Sequence, residues 1–277
     1  MRKILFPTDF SKTADNAFVY ALEMANYLEA ELILLHVYSL PIVSYEGYPS
    51  YILEVYDLID LNNFENFKDQ VPHLREIAEK HRLEHIKMTH ILEEGDFVSV
   101  VKKIVKKEKI DMIVMGTTGA SGLKETFVGS NTVDVLNHIP VATLCVPDKS
   151  KFRKVQRIGF TTLYREKDHK ALQSLMVLSE KIKAEVKCLY VKTFDTKVDE
   201  ATKVKWREDF KDEAVDFFEI PSENIKGAIF GFMSDKDINV LAMLNYKRSF
   251  FEKLFQKSMV DNMAFHSKTP ILVLPEE

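Results

Sequence analysis

Short runs of Ile, Leu and Val recur along the chain, separated by stretches in which apolar residues return every three or four positions. In the first half the apolar runs predict strands at 3–7, 31–37, 85–92, 111–115 and 141–146. Between them, Ala14, Ala17, Phe18, Ala21, Leu22, Ala25 and Leu28 fall on one helical face, as do Phe97, Val100, Val101, Ile104 and Val105. Strands that are apolar almost throughout are covered on both faces, as in parallel sheets flanked by helices. Their alternation with helices predicts βαβ units.

The pattern occurs twice. Lys3-Ile4-Leu5-Phe6-Pro7-Thr8 is echoed by Arg157-Ile158-Gly159-Phe160-Thr161-Thr162, and at the same offset residues 32–37 fall over 186–191. Further on the offset is shorter: residues 111–115 fall over 239–243 and 144–147 over 272–275. The chain is a degenerate tandem repeat whose first copy carries an extra segment somewhere in residues 38–84. The predicted fold class is α/β, with two tandem doubly wound five-stranded parallel-sheet domains, at 1–148 and 153–277. The charged joint between them, 149–154, is too short to let the copies move far apart.

Composition changes this picture only by exclusion. A chain of 277 residues with 46% hydrophobic and 29% charged residues, and only 9 Gly and 9 Pro, is neither disordered nor collagen-like. A net charge of −4 gives no global excess of positive charge for a nucleic acid. Residues 4–7 are too short for the apolar part of a signal peptide, and no run approaches a membrane span, so a cytoplasmic protein with no membrane partner is expected. Cys145 and Cys188 each stand alone in apolar runs, without metal-like spacing, and read as buried, reduced thiols.

In open parallel sheets ligands bind past the carboxyl ends of the strands, which directs attention to the loops there. After the fourth strand the sequence reads Met115-Gly116-Thr117-Thr118-Gly119-Ala120-Ser121-Gly122, and then Gly129-Ser130-Asn131-Thr132. Glycines let backbone N–H groups approach a ligand, and hydroxyls at a helix N-terminus add donors; together they fit a phosphate cradle, or else serve tight turns alone. The helix dipole contributes only about 0.3 to 2 kcal/mol, so the N–H bonds would supply most of the affinity. The loop is neither a Walker P-loop nor a Rossmann fingerprint. Asp9, after the first strand, is open to two readings, a ligand contact or an Asx turn leading into the next helix.

With Lys3-Ile4-Leu5-Phe6-Pro7-Thr8-Asp9-Phe10-Ser11 as first strand and loop, and Asp111-Met112-Ile113-Val114-Met115-Gly116 as fourth strand, the chain resembles the universal stress protein family in its tandem form. That family's nucleotide motif, Gly, two residues, Gly, nine residues, Gly-Ser/Thr, is met by Gly116, Gly119, Gly129 and Ser130. The resemblance implies the nucleotide-binding α-hydrolase-like form of the Rossmann-type fold and an ATP site, with or without Mg²⁺. Thr8 and Asp9 would meet the adenine or ribose end, and Val37 would line the adenine pocket through its backbone. Met115, Gly116 and Gly119 with Gly129, Ser130, Asn131 and Thr132 would hold ribose and phosphates.

The second copy departs from the motif: Leu163 stands opposite Asp9, Leu244 opposite Gly116, Lys247 opposite Gly119 and Lys257 opposite Gly129, with only Ser258 retained opposite Ser130. It is expected to bind no ATP and to act in cis like the second subunit of single-domain members, which pair through their last strands; a homodimer of the whole chain stays open. No nucleophile, base and orienting group come together in the sequence, so at most slow ATP hydrolysis or autophosphorylation is expected. A scaffold or sensor for a protein or a non-nucleotide metabolite is the alternative. His81 and His85 are a weak metal pair, and the basic run Lys102, Lys103, Lys106, Lys107 and Lys109 reads as a solvated helix face. The segment with Tyr45, Gly47, Tyr48, Pro49 and Tyr51 is either a lid or inter-domain packing.

Overall fold

The computed structural model describes residues 2–40, 49–117, 129–245 and 268–276, with 49–55 by backbone alone. The first half runs β1 (Lys3–Pro7), α1 (Lys12–Leu28), β2 (Glu31–Tyr38), α2 (Pro49–Lys80), β3 (Met88–Glu94), α3 (Phe97–Glu108), β4 (Met112–Gly116), α4 (Ser130–His138) and β5 (Ala142–Val146). The second half runs β6 (Arg157–Thr161), α5 (Glu166–Ile182), β7 (Glu185–Lys192), α6 (Glu200–Asp209), β8 (Val215–Pro221), α7 (Ile225–Asp235), β9 (Val240–Leu244) and β10 (Ile271–Leu274).

These strands form one sheet in the order β3-β2-β1-β4-β5-β10-β9-β6-β7-β8. The fold is α/β, and within each half the strands are parallel, with the first strand lying between the second and the fourth. At the middle β5 and β10 run antiparallel, Cys145 opposite Ile271 and Thr143 opposite Val273, so the two five-stranded sheets are continuous. The carboxyl ends of the two halves therefore lie at opposite ends of the sheet.

Alternate residues of each strand supply the two cores, as the pleat requires. Ile4, Phe6, Leu32 and Leu34 face α1, in a core that continues into the second half through Ile158, Phe160, Leu172 and Leu272. On the other face Leu5, Ile33, Leu35 and Ile113 pack with Val101 and Ile104 of α3 and Val135 of α4, while α7 covers the second half with Ile229, Phe232 and Met233. Helix starts are fixed by short polar side chains: Ser11 accepts from the Ala14 N–H, Asp96 from Ser99 and Asp199 from Thr202.

One expectation is corrected, and the extra segment takes a definite form. The third strand begins at Met88 and ends at Glu94, because Leu83 and Ile86 bury their side chains from a turn that the backbone bond from Ile86 to Leu83 holds, and pair with no neighbouring strand. The extra segment of the first half contains a long helix, α2, where the second half has the ten-residue α6. Tyr45, Gly47 and Tyr48 lie outside the described residues.

Candidate functional site

β1 has β2 on one side and β4 on the other, so the chain leaves neighbouring strands toward opposite faces and a crevice opens past their carboxyl ends. Nine of the ten expected site residues are described, and they lie at this end. Thr8 is buried, its N–H donating to the Leu35 carbonyl at 2.9 Å and its hydroxyl accepting from the Phe10 N–H at 3.0 Å. Asp9 is exposed, and its Oδ1 accepts from the Ser11 N–H at 3.0 Å, which gives it the Asx-turn geometry. Val37, half-buried, packs toward the α3 face, so backbone is what it offers the crevice.

The parallel register of β1 and β4 pairs Leu5 with Ile113; continued along both strands, it brings Thr8 level with Gly116. The Met115 side chain is buried in the core beneath α4, which leaves its backbone for the site. Beyond Gly116, Thr117 donates to the Val146 carbonyl at 3.0 Å and accepts from the Gly129 N–H at 2.5 Å. A Cβ on Gly129 would stand 3.2 Å from that same Thr117 oxygen, so this glycine permits a close backbone approach. Gly129 is the N-cap of α4.

Ser130 and Asn131, both exposed, are the first helical residues of α4, and their N–H groups have no acceptor within the helix. Two N–H donors, a hydroxyl, an amide and the positive end of the dipole thus converge where an anion is favoured. Thr132 plays another part: it is 2% exposed, and its hydroxyl donates inward to the Gly116 carbonyl at 3.2 Å, holding α4 to β4. Gly119 lies outside the described residues.

An aromatic wall, not singled out by motif, flanks Thr8. Phe10 adopts a left-handed backbone (φ 58°) and packs its ring 4.9 Å from His36, whose Nδ1 lies 2.8 Å from the Thr8 carbonyl oxygen. Phe67 of α2 stacks on His36 at 6.3 Å and meets His90 edge-on at 6.4 Å. Burial, and secondarily the charge of Arg75, pushes the His90 pKa down, and its buried Nε2 has no hydrogen-bond partner among the described residues. The available signal was the repeat itself, since Tyr164, at the position of Phe10, has φ 57° and a matching bond from its N–H to the Thr162 hydroxyl at 2.8 Å.

In the second half the corresponding place is filled. Tyr164, Tyr190 and Trp206 pack edge-on at 5.4 and 4.9 Å, all buried, and Leu244 is buried at the end of β9 where the first half has Gly116. Beneath them Asp168 accepts through Oδ2 from the N–H groups of Leu163 and Arg165 and the hydroxyl of Thr162, which closes the loop that carries Asp9 in the first half. Lys247, Lys257 and Ser258 lie outside the described residues.

The weaker candidates resolve individually. His85 Nε2 lies 3.1 Å from Asn26 Oδ1, and among the described residues no three His, Cys, Asp or Glu side chains converge as a metal site. Lys102, Lys103, Lys106, Lys107 and Lys109 are exposed, Lys103 pairing with Glu93 at 2.9 Å. Cys145 and Cys188 are free and buried, and burial pushes the Cys145 thiol up to about 12. Among the described residues no helix is long and apolar enough to cross a membrane.

A doubly wound α/β sheet with a glycine-lined crevice at its switch point defines a class that agrees with the comparisons. The universal stress protein family model matches residues 1–147, and the chain belongs to that family. Universal stress protein MJ0577 of Methanocaldococcus jannaschii is 30% identical over 158 residues, 54% of this chain and 96% of its own length. A putative universal stress protein of Staphylococcus aureus is 27% identical over 168 residues, 60% of this chain and 96% of its own. Over the whole chain the fold matches a universal stress protein structure from Archaeoglobus fulgidus, with a TM-score of 0.71 at 17% identity, covering 99% of this chain and 98% of that one.

Proposed function

We propose that this protein is a cytoplasmic, nucleotide-binding regulator of the stress response, holding one ATP per chain in the unit 1–148. The observation that carries this reading is the junction of β4 and α4, where the close approach of Gly129 to Thr117 presents the Ser130 and Asn131 N–H groups at the mouth of the crevice. In this reading Ser130 and Asn131 hold phosphates together with Gly119, Asp9 meets the ribose or adenine end, and the backbones of Thr8, Val37, Met115 and Gly116 line the base and sugar. Thr132 positions the loop. Mg²⁺, if it accompanies the nucleotide, is held by the phosphates.

The unit 153–277 serves as a structural partner and binds no nucleotide, a reading supported by Leu163, Leu244 and the aromatic side chains at the equivalent place. Antiparallel β5 and β10 support its role as an internal second subunit. Because that edge is used within the chain, a homodimer would form through another surface.

Calorimetric titration of the full chain with ATP should give one site. At about 100 times the dissociation constant, ATP should stabilise the fold by about 2.7 kcal/mol. Gly129→Val, which adds a Cβ against the Thr117 carbonyl oxygen, should weaken binding at least tenfold, with the apo variant shown to be folded by circular dichroism at the titration temperature. Two sites, none at millimolar ATP, or an unaffected Gly129→Val variant would overturn the reading. Purified protein that releases no adenine nucleotide on denaturation and ignores added ATP would favour the scaffold instead.

A further inference from the structure

The two halves are related by an approximate twofold axis at the β5–β10 seam, with α1 packed against α5. Such symmetry generates two equivalent crevices on the α1 and α5 face, one at each end of the seam. The chain has one joint between its halves, and it runs through one of them. There Asn16 Nδ2 donates to the Pro147 carbonyl at 3.0 Å, Tyr20 Oη and Ser150 Oγ are 2.7 Å apart, Phe152 packs edge-on against Tyr20 at 5.1 Å, and Val155 is 2% exposed. What is left beside Val155 is about 20 Å³.

The other crevice has no such joint and opens as a cavity of about 530 Å³, in the size range of small-molecule sites. Its chemistry also differs, position by position. Ser174 stands where Tyr20 does, which removes the ring that would fill it. Lys170 stands in place of Asn16, Lys167 in place of Thr13 and Arg2 in place of Gln156, so three neutral positions have become cationic. Lys167 is taken up by Glu276 at 2.5 Å, and Asp111, in place of Asn239, adds one anionic side chain to the lining, its Oδ2 accepting from the Lys3 N–H at 2.8 Å. Arg2 and Lys170 have no ion-pair partner among the described residues. The floor between them is apolar, with Leu28, Met112, Leu178 and Leu274.

We propose that this cavity is a binding site for a small carboxylate with an apolar body. Arg2 and Lys170 hold the carboxylate, and the body lies over Leu28, Met112, Leu178 and Leu274, the place that the joint occupies in the mate. A guanidinium paired with a carboxylate gives orientation, and the apolar floor gives affinity without further polar contacts. The cavity lies at the amino ends of β1 and β4, at the opposite end of these strands from Thr8 and Gly116, so it is separate from the nucleotide crevice.

Decanoate titrated into the full chain by calorimetry tests this, with decanol as the neutral control. One decanoate per chain is expected, with decanol at least tenfold weaker. The Arg2→Gln/Lys170→Gln double variant should lose tenfold or more. Ser174→Tyr, which copies Tyr20 at an exposed position, should block binding while the melting temperature of the apo protein is unchanged. If decanoate does not bind, if decanol binds equally well, or if both variants bind as the parent does, the proposal is wrong. A Ser174→Tyr protein that melts early is replaced by Ser174→Phe and Val177→Trp, on the same exposed face, one of which must block binding.

Discussion

A single carboxyl group shows how far the second copy has moved from the first. Asp168 occupies the position of Ala14, is fully buried, and receives three donors on Oδ2 while Oδ1 has no partner among the described residues. Burial pushes its pKa up against the opposing effect of those donors and of Arg165. A carboxyl whose folded pKa is raised binds its proton more tightly in the native state, so its stabilising contribution is full below the ordinary value of 3.8 and is lost as pH rises through the folded value. In that window Asp168→Asn should flatten the fall in stability with pH, removing a slope of up to about 1.4 kcal/mol per pH unit. Urea midpoints of the two proteins at several pH values check this; parallel curves would show that the three donors keep Asp168 ionised throughout. At this scale the sequence was legible where a residue's place is local: Gly129 and Ser130 could be set at the start of a helix by spacing. Thr132 could not, because whether a hydroxyl at a helix start faces a ligand or the Gly116 carbonyl depends on the packing of α4 on β4.

Among the elements, α1, α3 and α5 share one ending. Their C-caps Glu29, Lys109 and Lys183 are all left-handed (φ 50°, 55° and 57°), although none is glycine. A left-handed non-glycine residue costs about 1–2 kcal/mol, partly offset by the extra entropy that glycine loses on folding. Lysine at a helix C-terminus complements the dipole, and glutamate opposes it. Glu29→Gly should therefore stabilise the protein by about 1 kcal/mol, and Lys183→Gly by less, as judged by thermal unfolding. Equal gains would show that the dipole plays no part, and a larger gain for Lys183→Gly would contradict it. Elements were legible where apolar residues were continuous, as in β1, β2, β4 and β5. The start of the third strand was misplaced because Leu83 and Ile86 are apolar for a different reason, the closing of the turn after α2. The helix α2 gave no clear period because its outward face carries Leu58, Leu61 and Phe64, all exposed, which blurs the contrast between its two faces.

For the whole molecule the decisive feature is that one apolar core spans the seam, joining Ile4 and Leu144 of the first half to Ile158, Leu272 and Leu274 of the second. Apolar runs at 141–146 and 271–274 were visible in the sequence and their pairing was implied only by the family resemblance, while its antiparallel sense came from the structure, because strand direction leaves no mark on composition. A shared core should make the halves unfold together. The molecule contains its own reporter, since its one tryptophan, Trp206, is buried in the second half and senses that half alone, whereas far-ultraviolet circular dichroism senses both. The two signals should trace the same urea transition. Leu272→Ala, which empties a buried site at the seam, should cost about 2–5 kcal/mol and move both curves equally. Curves that separate, with tryptophan changing first, would mean that the second half melts on a core of its own. In that case the seam is an interface between two independent folding units, and Leu272→Ala should move the tryptophan curve further than the other.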